Sequence, residues 1–223
     1  MNINLKTALR KAYDLMYRRF GYKDWWPGDT DFEICIGAIL TQNTAWSNVE
    51  KAIQNIKNQN ALDPFIIYKM PMTELASLIK PAGYFNIKAK RLKNFVQTLV
   101  EQHNGKVNLL LKGPKDEVRK RLLNINGVGR ETADSMMLYA GEHLTFVVDA
   151  YTKRIFSRHN WCSLESDYDD VKKLCEESLF QKNIENLLDY WRDYHAQLVM
   201  VGKNYCKKSK PDCQLCPLYP LLP

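Results

Sequence analysis

The stretch from Leu122 to Phe156, LLNINGVGRETADSMMLYAGEHLTFVVDAYTKRIF, constrains this chain more than any other. Leu122, Leu123 and Ile125 end one apolar run, Gly127-Val128-Gly129 follows, and helical spacing then resumes. The pattern predicts two helices joined by a tight Gly-x-Gly turn. Either glycine can take the positive φ that such a turn needs. The first N–H groups of the second helix lack intrahelical partners and face outward at a positive helix end. That end is a seat for a phosphate, and Arg130 adds a charge beside it. An ordinary helix–turn–helix connection accounts for Gly-x-Gly alone equally well. Beyond the hairpin, apolar Val147-Val148 leads to one carboxylate, Asp149, eighteen residues past Glu131.

The charge balance agrees with a polyanionic partner. The formal net charge is +7 over 223 residues, and 45% of them are hydrophobic, as in ordinary globular proteins. The sequence has no run of eighteen apolar residues, so no membrane span is expected. The first twenty residues read as an amphipathic helix, not a signal peptide. A reducing, intracellular setting follows as the expectation, cytoplasmic and nucleoid-associated. Six cysteines in that setting point to a metal or to free thiols before disulfides.

Apolar positions at Leu5, Ala8, Leu9, Ala12, Leu15 and Met16 make a helical stripe. Residues 21–28 follow as a loop carrying Trp25, Trp26 and Pro27. Adjacent loop tryptophans either plug a core edge or offer a stacking surface to a base. Asp31–Leu40 reads as a buried helix, ending in the polar turn Thr41-Gln42-Asn43-Thr44 and Trp46. Capping and turn formation explain the Thr and Asn there. The next helix, 47–57, shows the stripe Val49, Ala52, Ile53 and Ile56. Shorter helices are expected near 64–70, 73–79 and 87–104, and another over 115–124. Lys88, Lys90, Arg91 and Lys93 form a basic cluster, a solvated face or a phosphate contact. Later helices are expected over 150–158, 167–180 and 184–204, with His195 a helix-face residue and not a ligand.

The tail carries Cys206-x6-Cys213-x2-Cys216, three cysteines close enough to read as metal ligands.

The hairpin, Arg130 and the Val-Val-Asp segment together resemble the helix-hairpin-helix DNA glycosylases of the endonuclease III superfamily. The resemblance covers nearly the whole chain. It implies an all-α, two-lobed fold with a C-terminal cysteine-rich cluster loop. One helical domain would span 29–131 and end in the hairpin; residues 1–28 and 132–223 would form the other, with DNA in the cleft between. The resemblance places Gly127, Val128, Gly129, Arg130 and Thr132 on the DNA backbone and makes Asp149 catalytic. It puts Asn43, with Gln42 beside it, at the wedge that fills the gap left by a flipped nucleotide. Taken alone, Asp149 also reads as a helix N-cap ahead of Ala150.

Three departures and likenesses refine what the resemblance implies. The lyase lysine of bifunctional members falls on Glu131, which implies a monofunctional enzyme. Trp-Trp-Pro and an aromatic at Trp46 are similar to the 3-methyladenine glycosylases of endonuclease III type. This implies a pocket of Trp25, Trp26, Pro27 and Trp46, in which Trp26 and Trp46 sandwich a cationic base and Trp25 packs inward. The family's C-x6-C-x2-C-x5-C signature implies a 4Fe-4S cluster on Cys206, Cys213 and Cys216, but Leu222 stands at the fourth position. Asp212, Tyr219 and the Pro223 carboxylate are open substitutes, as is a labile or absent cluster. The expected partner is double-stranded DNA with a damaged base, bound by a monomer. A bifunctional enzyme for oxidised pyrimidines and a non-catalytic DNA-binding protein stay as rivals.

Overall fold

The computed structural model describes residues 4–23 and 28–223, so Trp25, Trp26 and Pro27 lie outside the described residues. All regular structure among the described residues is helical. In chain order the helices are α1 (Leu5–Phe20), α2 (Asp31–Leu40), α3 (Trp46–Asn58), α4 (Pro64–Lys69), α5 (Met72–Leu78) and α6 (Phe85–His103). They continue as α7 (Val107–Leu110), α8 (Lys115–Leu123), α9 (Arg130–Tyr139), α10 (Ala150–Arg158), α11 (Tyr168–Leu179) and α12 (Leu187–Asn204). The fold is all-α, as expected. Among the described residues no helix is long and apolar enough to cross a membrane.

The chain divides into two units, one of residues 26–143 and one of 1–25 with 144–223. This differs from the expected second boundary at 131/132. The reason lies in α9, which packs on α2 and α8; its Ala133, Met136 and Met137 belong to the core of the first unit. The hairpin is therefore internal to that unit and does not form its edge.

In the 26–143 unit, α2 is apolar on nearly every side and sits at the centre. Thr30 caps it by accepting from Glu33 N–H (3.2 Å), and Cys35, Ile36, Ile39 and Leu40 are fully buried. A helix without a polar face needs neighbours all round, and α3, α6 and α9 supply them. α3 contributes the predicted stripe, with Val49, Ala52, Ile53 and Ile56 all buried.

In the other unit, α1 packs on α11 and α12, and α10 packs on α12. The side chain of Asn4 caps α1 by accepting from Lys6 N–H, and Gly21, at φ 67°, ends it. Leu9, Ala12 and Met16 meet Phe146, Ile155, Tyr194 and Leu198 in the core. Full burial of each large apolar side chain is worth about 1.5–3 kcal/mol.

Candidate DNA-binding and catalytic residues

The hairpin is built as a pinned turn. Gly127 alone of its two glycines uses positive φ (102°), and a Cβ there would also overlap the side chain of Arg91. Val128 turns its side chain into the core and anchors the turn. Gly129 has extended geometry, φ −92° and ψ 178°, and opens α9 with no side-chain cap. A Cβ at Gly129 would meet nothing within 4 Å, so the helix start is sterically open. Arg130 and Glu131 follow it on the exposed surface. Thr132, expected on the DNA backbone, has its side chain turned inward. It is buried, and its hydroxyl accepts a hydrogen bond from Gln42.

Gln42, expected beside Asn43 at the wedge, is hydrogen-bonded within the protein. Its Nε2 donates to Gly127 O (3.2 Å) and Thr132 Oγ1 (2.9 Å), while its Oε1 accepts from Arg91. The amide is thus committed to bracing the hairpin. Asn43 stands alone at the tip, exposed and in the left-handed region at φ 54°, a conformation that Asn tolerates better than most residues. Thr44 secures the other side of the turn by donating to Ala82 O (2.5 Å).

The basic cluster turns inward. Lys88 is 1% exposed, and its ammonium donates to Leu40 O (2.7 Å), Thr44 Oγ1 (2.5 Å) and Ala82 O (2.8 Å). Burial, helped by the charge of Arg91, pushes Lys88 down to about 8. Lys93 donates to the Ile67 and Tyr68 carbonyls, and Arg91 holds Gln42. Of the four residues only Lys90 is fully on the surface. The cluster therefore fixes the Gln42–Thr44 turn from behind.

Trp46 opens α3 with its indole against α2. A Cβ at Gly37 would lie 3.1 Å from its Cη2, so only glycine leaves the ring this seat without displacing it. The ring packs on the core yet stays partly accessible.

Asp149 takes the cap position that its sequence context suggested. It is the N-cap of α10, with Oδ1 accepting from Thr152 N–H (2.7 Å) and from Thr152 Oγ1–H (2.8 Å). Its other oxygen, Oδ2, lies 3.7 Å from Nε2 of His195 on α12. The side chain is 13% exposed. Burial alone raises its carboxyl pKa; His195 and then the two Thr152 bonds outweigh burial and hold it below the usual carboxylate value. His195 was expected as a helix-face residue. It is buried, and not on a free helix face.

Cys206, Cys213 and Cys216 line one pocket, together with Tyr219 and Leu222. Arg158 donates from NH1 to Cys206 Sγ (3.1 Å), and Arg154 Nε donates to Cys206 O (2.7 Å). Both arginines lie on α10, so the helix that Asp149 caps also holds the cysteine tail. Among the described residues no three His, Cys, Asp or Glu side chains gather as ligands of a single metal ion.

Comparison with known proteins agrees with this architecture. Residues 36–181 match the HhH-GPD superfamily base excision DNA repair proteins. A protein of Methanocaldococcus jannaschii named as a candidate DNA repair glycosylase is 43% identical over 220 residues, spanning 98% of this chain and 97% of the relative. Among solved structures, the Helicobacter pylori 3-methyladenine DNA glycosylase bound to 1,N6-ethenoadenine superposes with a TM-score of 0.76 at 26% identity. That match covers 90% of this chain and 98% of the other. A non-covalent endonuclease III–DNA complex shares the fold, with a TM-score of 0.80 at 24% identity, covering 99% and 96% of the two chains. The chain belongs to the HhH-GPD superfamily of base excision repair DNA glycosylases.

Proposed function

We propose that the protein hydrolyses the N-glycosidic bond of alkylated, 3-methyladenine-like bases flipped out of duplex DNA, and leaves the abasic strand uncut. The observation that carries the reaction is Asp149, a carboxylate kept ionised although largely enclosed. Base departure leaves an oxocarbenium-like sugar. An anionic oxygen fixed in a sheltered site stabilises that cation and orients or deprotonates the attacking water. A flipped nucleotide is required, since C1′ is unreachable inside the duplex. The open start of α9 at Gly129–Arg130 seats a backbone phosphate, and Asn43 fills the vacated stack.

The likeness to the 3-methyladenine enzyme supports the choice of lesion, as does the aromatic set. Trp26 and Trp46 would sandwich the base, with Trp25 and Pro27 completing the pocket. Cationic purines gain from aromatic faces and leave readily, so no strong general acid is needed. The test is incubation with duplexes carrying methylated, deaminated or oxidised bases, with released bases identified by mass spectrometry. Release of 3-methyladenine is expected; release of oxidised pyrimidines alone would favour the bifunctional reading.

The tail fits a thiolate-bound group. Three cysteines face one pocket, and Arg158 donates an N–H to Cys206 Sγ. We propose that Cys206, Cys213 and Cys216 hold a 4Fe-4S cluster. Leu222 lines the pocket at the fourth position and brings no donor atom. The cluster's contribution would be structural, tying the tail to α10. Protein purified without oxygen is expected to contain iron and sulfide, and Cys213→Ser to lose both. Fully active, iron-free wild type would reject the cluster.

A further inference from the structure

The two oxygens of Asp149 have different partners. Oδ1 is committed to the N-cap of α10, through Thr152. Oδ2 faces Nε2 of His195 at 3.7 Å, across the contact between α10 and α12. We propose that His195 is a positioning residue for Asp149, fixing the direction and charge of the carboxylate oxygen that the helix cap does not use. The proposal rests on Asp149 being the carboxylate that meets the sugar.

Packing fixes the imidazole itself. Only 5% of its side chain is exposed. On either side of it α12 is tied down: the hydroxyl of Tyr194 donates to Leu9 O (2.9 Å), and Gln197 Nε2 donates to Gly21 O (2.7 Å). An imidazole held this way has little freedom to leave the carboxylate. A buried carboxylate with one committed oxygen would otherwise tend to take up a proton.

Other charged groups on the surrounding elements have their own partners. On α12, Asp193 accepts from Tyr13 of α1 (2.8 Å) and from Lys23 N–H (2.8 Å). On α10, Lys153 donates to Ser166 O (2.7 Å) and Arg154 to Cys206 O. On α11, Glu176 pairs with Lys172 (3.2 Å) and accepts from Phe146 N–H. Arg192 lies one turn before His195 on α12. Against the burial of Asp149, the opposing influences come from His195 and Thr152. Removing His195 leaves the carboxyl with Thr152 alone, and its pKa rises.

The experiment is a pH profile of single-turnover base release, corrected for spontaneous loss. It uses the lesion that wild type releases fastest from a panel of methylated, deaminated and oxidised bases. Activity that needs the carboxylate falls on the acid side as Asp149 protonates. His195→Leu is expected to move that acid limb upward by about one unit or more and to lower the plateau rate at least tenfold. His195→Gln keeps a hydrogen-bond donor on a side chain of another shape, and its limb moves by less. Melting curves and binding to an uncleavable abasic-site duplex establish that each variant is folded. If His195→Leu does not fold, the His195→Gln profile decides, and coincidence with wild type overturns the proposal. An unmoved limb and plateau in folded His195→Leu, with Asp149→Asn inactive, also overturns it. A fully active Asp149→Asn instead overturns the assignment of Asp149, and the role of His195 with it.

Discussion

Asp149→Asn is expected to fold, to bind duplex DNA and to release base about 10²–10⁴-fold more slowly than wild type. The geometry separates the two duties of this side chain. As a cap it needs only an acceptor toward Thr152 N–H and Oγ1–H, and the asparagine carbonyl provides one. Asparagine ranks with aspartate as an N-cap, so α10 keeps its start and its contacts with the tail. The variant lacks the negative charge that, on the proposed function, would face an oxocarbenium-like sugar, and an amide is a poor base toward water. The loss therefore belongs to the chemical step. Single-turnover rates, together with binding to the same duplex, measure it. A wild-type rate in the folded variant would move the chemistry to another group.

Much of the fold was legible because burial repeats at helical spacing. The start of α10 coincides with its expected position because Asp149 punctuates it in the sequence and caps it in the structure. α12 begins three residues later than expected, where Asn186 accepts from Asp189 N–H (3.0 Å). α7 went unseen because four residues are too few to show a period. The domain boundary was misplaced for a different reason. Where α9 packs depends on residues far away in sequence, such as those of α2, and local pattern does not carry that.

The inward-turned polar side chains divide into two kinds. Lys88 and His195 carried a signal. Lys88 shares a helical stripe with Leu92, Phe95 and Leu99, and His195 shares one with Trp191, Tyr194 and Leu198. A charged or titratable residue on an apolar stripe is buried with partners unless it escapes to the surface. Counting basic residues along the chain obscured this for Lys88. Gln42 and Thr132 carried no such signal, since they meet across ninety residues of sequence. Their hydrogen bond ties the turn that bears Asn43 to the hairpin that bears Gly129.

Borohydride reduction in the presence of abasic-site DNA is expected to trap no covalent adduct with the wild-type protein. A lyase step needs an amine that attacks C1′ and forms an imine. Glu131, at the position where the resembling bifunctional enzymes carry that amine, is a carboxylate and cannot form one. Its place in the first turn of α9 suits the positive helix end. The neighbouring cations offer no substitute. Arg130 stays protonated. Lys153, four residues after Asp149 and the nearest lysine that follows it, donates its ammonium to Ser166 O (2.7 Å). Lys88, with an amine pushed down to about 8, would be the better nucleophile by ionisation, but it is enclosed behind the Thr44 turn with three acceptors around it. Glu131→Lys tests whether only the amine is missing. It places an exposed lysine beside the hairpin and is expected to give a trapped adduct while binding DNA at least as well as wild type. Strong trapping by the unaltered protein would show that another amine reaches C1′, and would assign the enzyme to the bifunctional class.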